Sequence, residues 1–129
     1  MPLCLTEGIG VIPWSPLARG LLAGKRRPST VRSKTDVFRK EIYGEEISEA
    51  DTGVISRLET VAAAQGVAPA QLALAWLMQK PGVVAPIIGA SKPQHLHDAI
   101  SALNVHLNAD TISSLEELYL PHAVAGMAR

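Results

Sequence analysis

The segment Pro86–Leu96, PIIGASKPQHL, closes an apolar run with a glycine and passes at once into a polar, lysine-bearing stretch that opens a helix. The run behind it, GVVAPII from Gly82 to Ile88, is continuous, apolar and of strand length, the pattern of a strand covered on both faces, as in parallel sheets. Gly89 ends it. Ser91 is then placed to cap a helix with Gln94 at its third position, and Leu96, Ala99, Ile100 and Leu103 form that helix's buried side. VIPWSPLARGLLAG, from Val11 to Gly24, repeats the theme. Gly8 to Trp14 reads as a buried strand that Pro13 and the Ser15-Pro16 pair bring to a turn. Each run is a strand whose carboxyl end spills into a loop shaped to hold something.

Between them lies KRRPSTVRSKTD, polar, basic and interrupted by proline, so residues 25–47 are expected to form a long surface loop. Ser48 with Asp51 has capping-box character, and Val54, Ile55, Leu58, Val61 and Ala62 line one face of the helix that follows until Gly66 stops it. Pro69 suits the first turn of a second helix, with Leu72, Ala73, Trp76 and Leu77 as its apolar stripe. A last helix over about 109–120 turns Ile112, Leu115 and Leu118 inward. Strand, loop, two helices, strand, two helices is the grammar of βα units with parallel pairing. Two strands alone leave open edges, however, so the chain reads as a piece of a larger α/β protein or as one that must assemble, with self-association through those edges.

Composition bounds the function. The 129 residues are 47% hydrophobic and 19% charged, ordinary for a globular domain, and 12 basic residues balance 12 acidic ones. Zero net charge removes the whole-chain electrostatic case for nucleic acid or a membrane surface as partner. Cys4 stands alone, which points to a cytoplasmic chain without disulfides, and neither a spanning segment nor a signal peptide is expected.

The turn after the second run is where ligands bind in α/β folds. Lys92 offers a charge, Ser91 a hydroxyl and Gly89 close backbone approach to a phosphate. The plainer alternative, favoured by this segment alone, makes Ser91 an N-cap and Lys92 a solvated side chain. Trp14 offers a flat face to a planar ring, or simply packs in the core. Arg19 suits a phosphate or carboxylate, or faces solvent. Lys25, Arg26, Arg27, Arg32 and Lys34 lack the interleaved aromatics that stack bases, and a solvated loop suits them better. His95, His97, His106 and His122 form no triad or zinc spacing, so no catalytic residue and no metal site is assigned.

Taken together, GIGVIPWSPLARGLLAGK, APAQLALAWLMQKPGVVAPIIGASKPQHL and YLPH resemble the aldo-keto reductase family, in particular its branch of small bacterial-type oxidoreductases, over nearly the whole chain. The resemblance implies an α/β fold, the carboxyl-terminal part of a (β/α)8 TIM barrel spanning residues 1–129, with the two runs as its seventh and eighth strands and the barrel incomplete. It implies NADP(H) as cofactor. By position, Trp14 would stack on the nicotinamide, and Ser15, Leu17, Arg19 and Gly20 would follow the pyrophosphate. Ile88, Gly89, Ser91 and Lys92 would grip the adenosine 2′-phosphate, Lys92 favouring NADPH over NADH, with Gln94 or His95 and Asp98 near the adenine. The family often has Gln where this chain has His95 and Asn where it has Ala99. Its catalytic Asp, Tyr, Lys and His come from earlier strands, so the chain alone is expected to be inactive. The implied activity is reduction of small aldehydes or ketones to alcohols once the barrel is completed. The alternatives are a non-catalytic NADP(H)-binding module and an inactive structural remnant.

Overall fold

The computed structural model describes residues 1–24 and 47–121. The loop expected over 25–47 therefore lies, Ile47 apart, outside the described residues, as does His122. Helix α1 spans Pro2–Thr6, and a segment of 3₁₀ character, broken by non-helical Arg19 and Gly20, occupies Ala18–Ala23. Then come α2 (Glu49–Gln65), α3 (Pro69–Met78), α4 (Pro93–Ser101), a short 3₁₀ turn (Ala102–Asn104) and α5 (Ala109–Glu116).

The helix signals around the core act as their chemistry requires. The Ser48 hydroxyl accepts the Asp51 N–H at 3.0 Å and donates to the Asp51 carboxylate at 2.8 Å, which starts α2. Gly66 ends α2 with φ +68, a left-handed conformation that costs glycine little. Pro69 enters α3 in its first turn, where its missing N–H would be unpaired anyway, while the Gln71 side chain accepts the Ala68 N–H at 3.0 Å. The Asn108 carboxamide does for α5 what Ser48 does for α2, accepting the Thr111 N–H at 2.8 Å.

Those ends aim the helices at one another. Leu58 and Ala62 of α2, Leu72 and Ala73 of α3 and Leu115 of α5 make one buried cluster, flanked by Leu17, Leu22, Val61, Val67, Trp76 and Val105. Leu72 is 0% exposed. Two polar ties lock α5 over it. Arg57 reaches the Ser114 carbonyl and hydroxyl at 3.0 Å each and Glu117 at 2.8 Å. Glu116 accepts from Trp76 Nε1 at 2.8 Å and from Lys80, whose ammonium lies 4.7 Å from the centre of the Trp76 ring.

The two apolar runs do pair in parallel, but through isolated bridges, Val11 with Val83 and Trp14 with Ile87, and the described residues contain no continuous strand. The bridges are three positions apart on one run and four on the other, so the register slips by one between them. Pro86 sits inside the slip, where its lack of an N–H costs least. Close approach is built in at Gly10, where a Cβ would come within 2.9 Å of Val84. The pair stays rudimentary because two prolines remove donors and no third strand flanks either edge among the described residues.

Burial corrects three expectations. The run 82–88 is not covered on both faces: Val84 is 66% exposed and Ile87 53%. Leu96, Ile100 and Leu103 of the α4 region are exposed rather than inward, and Leu118 lies beyond α5, exposed, though its methyl faces Gly53 of α2. For the run and the α4 region the cause is shared: the helices find one another, while the surface turned toward the apolar runs has no second layer over it among the described residues. Helix α1, which no periodicity announced, seats Leu5 over Gly82.

Two stability predictions follow from this packing. Leu72→Ala should cost about 2–5 kcal/mol in urea denaturation followed by helical circular dichroism, whereas Leu103→Ala, at a site 63% exposed, should cost under about 0.5 kcal/mol. The Lys80 ammonium first, and the Trp76 N–H second, hold the Glu116 carboxyl below its ordinary value of 4.5. A carboxyl depressed on folding stabilises the chain above 4.5, and that contribution fades as pH falls through the folded value. Because this pair is half exposed, wild type should exceed Glu116→Gln by no more than about 1 kcal/mol at pH 7, and the gap should close in acid.

Candidate functional site

The Trp14–Ile87 bridge brings together residues 73 positions apart in sequence. It sets the carboxyl ends of the two runs side by side, pointing the same way, so the turn that begins at Ser15 and the turn that begins at Gly89 leave from one edge. Ile87 N–H donates to the Pro13 carbonyl at 2.8 Å and fixes that register. Parallel pairing is what this convergence requires, since an antiparallel pair would send the turns to opposite ends.

Trp14 is 59% exposed, so it is not the core tryptophan that the plainer alternative allowed. The turn after it is strained. Ser15, Ala18 and Arg19 adopt φ of +49, +46 and +52, and Gly20 follows at +100. For non-glycine residues such angles cost about 1 kcal/mol or more each, and they persist only where surroundings impose them. Leu17 supplies part of that restraint: it flanks the buried cluster, and its carbonyl accepts the N–H groups of Gly20 and Leu22 at 2.9 and 3.2 Å. Ala18 is the position that sequence reasoning missed, because alanine carries no preference for a left-handed conformation.

The second turn differs from expectation at its cap. Lys92, not Ser91, is the N-cap of α4, with extended φ/ψ of −143 and 147. Pro93 causes this, because the residue before a proline is driven out of the helical region. The Ser91 hydroxyl instead lies 3.4 Å from Nδ1 of His95, and Gln94 donates to Asp98 at 2.8 Å one helical turn on. Pro93 brings no N–H, and His95 N–H is taken by the Lys92 carbonyl at 3.0 Å, so the helix start presents fewer free donors than its position suggests. Lys92 is exposed beside them. Ile88 is exposed, and a Cβ on Gly89 would meet no protein atom within 4 Å, so packing within the described residues does not demand a glycine there. An apolar groove bounded by Leu74, Met78, Ile100 and Leu103 lies beside this turn and shares only Ile88 with the predicted contacts.

These turns offer a planar exposed aromatic, a turn held in one conformation and an exposed ammonium, all at one end of a parallel pair.

The Aldo/keto reductase family model matches residues 1–120. The chain is 38% identical over 128 residues to versiconal hemiacetal acetate reductase of Aspergillus parasiticus, covering 96% of this chain and 36% of that protein. It is 37% identical over 124 residues to an aldo-keto reductase of Fusarium vanettenii, covering 95% and 33% respectively. The chain thus spans about a third of the length of the curated relatives it matches. Its fold aligns with the crystal structure of the thermostable aldo-keto reductase Tm1743, solved with the inhibitor epalrestat, at a TM-score of 0.61 and 25% identity, over 92% of this chain and 32% of that one. A family known for a (β/α)8 barrel accounts for the parallel bridges and the turns at their carboxyl ends, although the described residues are mostly helical. By its sequence over residues 1–120 and by its fold, this chain belongs to the aldo/keto reductase family.

Proposed function

We propose that the chain provides the cofactor-facing part of an NADPH-dependent reductase of small aldehydes or ketones. The observation that carries this is the Trp14–Ile87 bridge, which brings the Trp14 turn and the Lys92 turn to one end of the parallel pair. The residues fit the cofactor chemically. Trp14 presents an open ring face for the nicotinamide. The strained 15–20 turn, with Ser15, Leu17, Arg19 and Gly20, lies along the pyrophosphate without having to reorganise on binding. Ile88, Gly89, Ser91 and Lys92 hold the adenosine 2′-phosphate, where the ammonium favours NADPH over NADH, and Gln94, His95 and Asp98 line the adenine end. When bound, the cofactor supplies the hydride that reduces the carbonyl. The proton donor belongs to the strands of the barrel that these residues do not form, and a small carbonyl compound is the partner that the completed site takes. That no helix of the described residues is long and apolar enough to cross a membrane suits a soluble reductase, and a cytoplasmic one is proposed.

Titration of NADPH into the purified chain, following tryptophan fluorescence at fixed ionic strength, tests the cofactor assignment. Saturable quenching is expected, with Lys92→Ala weakening NADPH roughly tenfold or more and NADH far less, as loss of one charge-assisted phosphate contact implies. A folded chain that gives no response to either nucleotide would refute binding by these residues alone. Co-expression with the amino-terminal part of a relative then tests carbonyl reduction, read as NADPH oxidation that depends on added aldehyde.

The strained turn yields a separate expectation. Ala18→Gly should raise stability by about 0.5–1 kcal/mol, because glycine adopts φ +46 without penalty, and should weaken NADPH binding by loosening the turn. Unchanged affinity would show that the strain is unrelated to the cofactor.

A further inference from the structure

We draw no further inference here: the strongest candidate, the uncharged apolar face where residues 8–14 and 82–88 leave Ile12, Val84 and Ile87 exposed beside the groove between α3 and α4, carries nothing because nothing in the structure shows what covers it.

Discussion

Burial of Leu72 and Ala62, both 0% exposed, in one cluster is the packing on which the rest of the structure depends. It forces α2 and α3 to meet across three residues, and the left-handed Gly66 followed by Pro69 is the shortest chemistry that turns one helix off and the next on. With α3 fixed, its C-terminal end at Met78 delivers the chain into the second apolar run within four residues. Helix α5 is then drawn over the same cluster by Leu115 and tied down by Arg57 and Glu116. The apolar runs are thus hung from a helical core rather than forming one.

That hierarchy explains why the site is well placed and yet poorly covered. Leu17 and Leu22 flank the helical cluster, so the turn bearing Ser15, Ala18 and Arg19 is anchored from the side where packing is good. Its left-handed residues cost a few kcal/mol together, which is a large share of a small domain's net stability. Such a cost is held where several contacts converge, and here one side of the turn has them while Trp14, on the other, stands open.

Most of the helices were legible because their determinants are local. Ser48 with Asp51, Gly66 and Pro69 each act within a few residues, and the 3.6-residue stripes of α2 and α3 point at the cluster they form. The runs were legible as a parallel pair but not as to their extent, since length depends on neighbouring strands that local sequence does not describe. At the candidate site two details of the local structure were not legible. The shift of the cap from Ser91 to Lys92 came from the rule that proline imposes on its predecessor, outweighing the serine's preference. The left-handed conformation of Ala18 has no signal in the residue type.

The exposed face of the runs and the candidate site are consequences of one constraint. Parallel strands rich in Val and Ile are selected for burial on both faces, so GVVAPII and GIGVIPW carry side chains suited to neighbours on every side. The turn after Trp14 depends less on such strands, because it is held by the Leu17 carbonyl with Gly20 and Leu22 and by Leu17 and Leu22 against the helical cluster. The chain therefore holds the turn after Trp14 while leaving Val84 and Ile87 open. Turn geometry and strand burial are separable here: the first rests on local hydrogen bonds and on the helical cluster, the second on strands and layers lying against the runs.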